Sequence, residues 1–173
     1  MQLDDRIDNL VGSALFGDGA GAMIIGQAAG NENPIYELHE SHSLIIPNTG
    51  SMMAWDLTAT GMAIGLGKEI PTAIYSSIDD FAYQLMEINK EAFNIDYSEM
   101  KWAIHPGGPM IIEAIAQRLG ITNESIDEVW SVLRNYGNMS SATLIFVLNE
   151  MRKKVRNSFS FSSNQKSQSI NFN

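Results

Sequence analysis

Hydrophobic positions in this chain follow two kinds of pattern. From 71 to 93, apolar residues return every three or four positions, at Ile74, Ile78, Phe81, Leu85, Ile88 and Ala92. That spacing draws one stripe along a helix. Pro71 suits the first helical position, where its missing N–H has no partner to lose. Three shorter helical stretches follow. Residues 110–119 end at Gly120, a C-terminal glycine cap. Residues 125–136 are capped near Asn123 and closed by Gly137, and 141–154 have Ser140 or Ser141 to receive their exposed N–H groups.

The second pattern is the short apolar run bounded by turn residues. Ala20, Ala22, Met23, Ile24 and Ile25, introduced by Gly17-Asp18-Gly19, predict a strand over 20–26 buried on both faces. Residues 27–33 read as a turn, 48–51 as a loop, and the loose alternation across 35–46 predicts one or two strands. Trp102-Ala103-Ile104 predicts a short buried strand running into His105-Pro106-Gly107-Gly108-Pro109. Strands followed by strand–loop–helix units describe an α/β domain over 1–154. From 155 to 173 the chain turns to Ser, Asn and Gln without periodicity and without glycine, which predicts a poorly ordered tail.

Composition narrows the functional classes. With 173 residues, 45% of them hydrophobic and 18% charged, the chain has the balance of a soluble globular domain. The formal net charge of -9 opposes a phosphate backbone, so nucleic acid is not an expected partner. A local basic channel for an anionic cofactor remains compatible with that total. There is no cysteine, which excludes disulfides, Cys-based metal sites and a cysteine nucleophile within the chain. The opening residues are Asp-rich rather than apolar, and no run reaches the length of a membrane span. The expected location is the cytoplasm, with no membrane association.

Candidate chemistry sits in loops. His105 stands where a predicted strand ends, and the glycines behind it let a ligand approach the backbone. Asn138 lies in Tyr136-Gly137-Asn138-Met139-Ser140-Ser141, between a helix-ending glycine and a serine-rich helix start. Taken singly, a loop histidine and a capping asparagine are ordinary structural features. Gly17-Asp18-Gly19 lacks the Lys-Ser/Thr of a phosphate-binding loop and reads as a turn that brings buried strands together.

In combination these pieces resemble the type III polyketide synthases, the chalcone/stilbene synthase family. The resemblance rests on Leu10-Val11-Gly12-Ser13-Ala14-Leu15-Phe16-Gly17-Asp18-Gly19, then Ile104-His105-Pro106-Gly107-Gly108-Pro109, then Tyr136-Gly137-Asn138-Met139-Ser140-Ser141-Ala142. Asn149-Glu150-Met151-Arg152-Lys153-Lys154 extends it. It implies the C-terminal half of a thiolase-like αβαβα fold. It also implies decarboxylative Claisen condensation of malonyl-CoA onto an acyl thioester derived from an acyl-CoA starter, with CoA thioesters as substrates and no bound cofactor or metal. His105 and Asn138 match the family's histidine and asparagine, two N–H donors for one thioester oxygen. The histidine would also pair with a cysteine thiolate and so lower its pKa. Gly107 and Gly108 would let a pantetheine arm pass beside Met110. Ser140 matches a position lining the elongation cavity, and Ile64 falls where plant members carry an aromatic gatekeeper. Met52, Met53 and Trp55 fit either that cavity or, more simply, a core strand.

The resemblance also implies what this sequence does not hold. The cysteine, the basic residues that grip CoA phosphates and the closing glycine-rich strands of the family have no counterpart here. The expected partners are therefore the missing N-terminal half and, in the full-length enzyme, a second copy as a homodimer. Condensation by this polypeptide alone is not expected. Ketoacyl-ACP synthase III shares the glycine-rich loop and a His/Asn pair, but its histidine is followed by Gln-Ala-Asn rather than Pro-Gly-Gly. A non-catalytic interaction module is the reading from another class.

Overall fold

The computed structural model describes residues 6–27, 33–89 and 100–168, with side chains described as far as Arg156. Five α-helices, one 3-10 turn and one hairpin make up the regular structure of those residues.

Helix α1 spans Ile7–Leu15 and turns an unusual face inward: its buried residues are Asn9 and Gly12, while Ile7, Leu10 and Val11 are exposed. The inward face rests on an antiparallel hairpin of β1, Met53–Thr58, and β2, Gly61–Leu66, in register from Met53↔Leu66 to Thr58↔Gly61. Thr58 closes the turn by donating its hydroxyl to the Gly61 carbonyl at 2.6 Å. Asn9 Oδ1 accepts the Ile64 N–H at 3.2 Å, and Arg6 donates to the Ile64 carbonyl at 3.3 Å. Polar groups thus anchor α1 to β2.

Helix α2, Ile70–Asn89, follows the expected stripe, and Ile74 and Ile78 pack against the main core. Pro71 takes its second position, and the expected end at Phe93 lies outside the described residues. Helix α3, Pro109–Leu119, packs on α2 and closes at Gly120 in the left-handed region, φ 65°. The core itself lies between α3, α4 (Asp127–Tyr136) and α5 (Ser141–Gln168), where Ile112, Ile126, Val129, Val132 and Val147 are fully buried. A 3-10 turn, Asn123–Ile126, leads into α4. Asn123 does not cap that helix: its Oδ1 accepts the Trp130 indole N–H at 3.3 Å, and no side chain caps the start of α4.

Three segments expected to hold strands form none. Segments 20–26, 35–46 and 102–104 join no ladder with a neighbour among the described residues. An apolar run favours extended backbone, but a strand also needs a partner for its N–H and C=O groups. The expectation of burial fails for 20–26 as well, where Ile24 is 104% and Ile25 70% exposed. Segment 33–46 is tied down by side chains instead. The Tyr36 hydroxyl donates to the Leu148 carbonyl at 2.5 Å, and the His42 ring stacks on Phe81 at 5.4 Å. Met53 and Trp55 do lie on a strand, but β1 is exposed along its whole length and is not core. Finally, α5 carries helical backbone to Gln168, through most of the stretch expected to be a poorly ordered tail. No glycine or proline interrupts it there.

Candidate functional site

Asn138 is placed by its backbone before its side chain acts. Its N–H donates to the Leu15 carbonyl at 2.8 Å and its carbonyl accepts the Gly17 N–H at 2.9 Å, a parallel bridge around Phe16. So close an approach depends on glycine. A Cβ on Gly17 would stand 1.8 Å from the Tyr136 carbonyl oxygen, and Gly137 turns the chain out of α4 at φ 71°. The Gly17-Asp18-Gly19 loop, expected to bring strands together, instead clasps the loop that carries Asn138.

The side chain of Asn138 is nearly buried and makes two hydrogen bonds. Oδ1 accepts the Ser140 N–H at 2.9 Å, and Nδ2 donates to the Gly107 carbonyl at 3.1 Å. The first bond fixes which end of the amide is oxygen. Nδ2 carries two hydrogens, so one remains for another acceptor.

His105 lies beside Gly107 as well. Its carbonyl accepts the Gly107 N–H at 2.9 Å, and its ring lies over Gly107, where an added Cβ would stand 3.6 Å from Cδ2 and 3.8 Å from Nε2. The imidazole is exposed at its edge yet partly desolvated, and burial holds its pKa below the ordinary histidine value. It is therefore neutral near pH 7, with one N–H to give.

The structure brings together His105, Gly107, Gly108 and Asn138. Gly108 is buried, facing Leu15, and begins α3, while Met110 on the first turn of α3 is exposed. Ser140 is exposed and joins the cluster through its N–H rather than its hydroxyl. Ile64 does not join: at 1% exposure under α1, it has no surface to present to a ligand. Residues that sequence reasoning passed over are Leu15 and Gly17, whose backbone seats Asn138, and Thr143, which braces the following turn. The signal for the first pair was the glycine at 17, read only as a turn. Among the described residues, no group of three His, Cys, Asp or Glu side chains is placed to hold a metal ion. Among them too, no helix is long and apolar enough to cross a membrane.

Residues 37–172 match the family model for chalcone and stilbene synthases, C-terminal domain. The chain belongs to this family. Among curated relatives, it is 38% identical over 154 residues to type III polyketide synthase 10 of Oryza sativa subsp. japonica, covering 88% of this chain and 38% of that protein. It is 40% identical over 159 residues to type III polyketide synthase B of Arabidopsis thaliana, covering 88% and 40%. The chain thus spans about two fifths of the length of these curated relatives, 38% and 40%. Among solved structures, a type III pentaketide synthase from Neurospora crassa aligns with TM-score 0.69 and 26% identity, over 72% of this chain and 34% of that one. The C-terminal type III polyketide synthase domain of Steely1, a type I/III hybrid from Dictyostelium, aligns with TM-score 0.59 and 38% identity, over 62% and 30%. The fold of this chalcone/stilbene synthase domain is accordingly α/β and thiolase-like.

Proposed function

We propose that this chain supplies the oxyanion-binding half of a type III polyketide synthase, an acyltransferase that elongates an acyl thioester with malonyl-CoA. The reading rests on one observation: the imidazole of His105 lies beside Gly107, whose carbonyl accepts an N–H of the Asn138 carboxamide. Two N–H donors held beside one glycine suit a thioester oxygen on which negative charge grows.

The chemistry requires such a pocket. When the carbon–carboxylate bond of malonyl-CoA breaks, its electron pair passes to the thioester as an enolate and carbon dioxide leaves. The enolate carbon then attacks the carbonyl of an acyl-cysteine, the new carbon–carbon bond forms and the thiolate departs. Neutral His105 and the second N–H of Asn138 stabilise the enolate oxygen without offering the acidic proton that would quench it. Gly107 leaves room for a pantetheine arm beside exposed Met110, with Ser140 at the edge of the growing chain, while buried Gly108 seats the start of α3 against Leu15.

The nucleophile comes from another polypeptide segment, because this chain contains no cysteine. Exposed apolar residues support a covering partner: Ile7, Leu10 and Val11 on α1, and Met23, Ile24 and Ile25 beyond it. A face of this kind marks an interaction surface. The partner we assign is the cysteine-bearing half, with a homodimer in the complete enzyme. Its setting is the cytoplasm, where thiols stay reduced.

The test is reconstitution with a cysteine-bearing N-terminal half and radiolabelled malonyl-CoA. Product should form only when both polypeptides are present. His105→Ala and Asn138→Ala should each slow turnover by ~10²–10³. Unchanged turnover in both variants, or condensation by this chain alone, would overturn the assignment.

A further inference from the structure

We infer that Thr143 is the positioning residue that aims the Asn138 carboxamide. This rests on the reading of Asn138 as an oxygen-binding donor, and it deepens that reading by identifying what holds the donor still.

Thr143 is fully buried in the first turn of α5. Its hydroxyl accepts the Met139 N–H at 2.8 Å and donates to the Ser140 carbonyl at 2.7 Å. The next N–H, that of Ser140, is taken by Asn138 Oδ1 at 2.9 Å. Two successive backbone N–H groups are therefore held by side chains, one from each end of the loop. Between them Ser140 sits at φ 57°, in the left-handed region. A residue with a Cβ keeps that conformation only where its surroundings impose it.

The chain of dependence follows directly. Without the hydroxyl, the Met139 N–H is left unpaired in a residue only 6% exposed, and the Ser140 carbonyl keeps only the Thr143 backbone N–H at 3.1 Å. Ser140 then relaxes toward negative φ, its N–H swings away from Asn138 Oδ1, and the carboxamide is free to turn away from Gly107. A hydroxyl that merely stabilised α5 would lower stability without touching the Asn138 amide. The two roles differ in what the amide reports.

The experiment follows the Asn138 side-chain NH2 pair by NMR in the asparagine-15N-labelled chain, assigned by its disappearance in Asn138→Asp. In the native chain the hydrogen of this pair that is donated to the Gly107 carbonyl should exchange slowly with solvent. Thr143→Val should collapse it to the fast exchange of an exposed carboxamide, and Thr143→Ser should restore it. If Thr143→Val does not fold, Thr143→Ala takes its place. In the reconstituted enzyme, Thr143→Val should lower kcat by ~10² with KM unchanged, as a misaimed group does. An unchanged amide pair in the hydroxyl-free variant, or its equal loss in Thr143→Ser, would overturn the inference. If the amide responds as described while Asn138→Ala has no effect on turnover, the functional reading fails and the positioning role stands.

Discussion

At the scale of single residues, His105 links structure to a measurable acid response. Desolvation lowers its pKa, so the unfolded chain binds a proton more readily than the folded one. Between the folded value and the ordinary ~6.5, the unfolded state holds more protons and stability rises with pH. Below that window the loss levels off. His105→Asn removes the contribution, so urea midpoints measured from pH 7.5 to 5 should fall more steeply in the native chain than in the variant. Parallel slopes would contradict the partial desolvation of the imidazole. This residue and Asn138 were singled out only through the family resemblance of their motifs, because each alone is an ordinary loop residue; the structure sets both beside Gly107. Ile64 was singled out in the same way, and its place along the sequence did not disclose that α1 buries it completely. Thr143 gave no sign at all, because a threonine in a helix's first turn is ordinary until its hydroxyl is seen bridging Met139 and Ser140.

Among the elements, the α-helices α2, α3 and α4 were legible from local signals. The Ile74–Ile78 stripe and the glycines at 120 and 137 act within a few residues of where they are read. Strands were not, because pairing is settled by distant sequence. Segments 20–26 and 102–104 have the composition of strands and no neighbour among the described residues. The packing of α5 on α4 adds an ion pair, Lys154 Nζ to Glu128 Oε1 at 2.9 Å. Burial raises the Glu128 pKa, but the Lys154 hydrogen bond, its own backbone N–H and the charges of Lys154 and Lys101 bring it below the usual glutamate value. The carboxylate thus adds stability above the unfolded glutamate pKa, and this is lost as pH falls through the lowered folded value. Lys154→Met should cost about 1–2 kcal/mol at pH 7, discounted because Lys154 is half exposed. At pH 3 the cost should shrink toward zero. Urea denaturation at the two pH values checks this, and an equal cost at both would contradict it.

Taken whole, the described residues hold a core of three helices, a loop cluster around Asn138 and uncovered apolar surface on α1 and 20–26. The layered α/β fold came from the family resemblance of the motifs, since the strands on which the hydrophobic pattern alone rested, at 20–26, 35–46 and 102–104, do not form. The exposure of α1 and of 20–26 could not be read from sequence, because an apolar run predicts burial without naming what buries it. The central claim is that His105 and Asn138 serve one oxygen. A double-mutant cycle on malonyl-CoA decarboxylation by the reconstituted enzyme tests it most directly, comparing His105→Ala, Asn138→Ala and the pair. Donors to a shared oxygen should be coupled, so the double variant should be little slower than the slower single one. Rate losses that multiply independently would contradict the account.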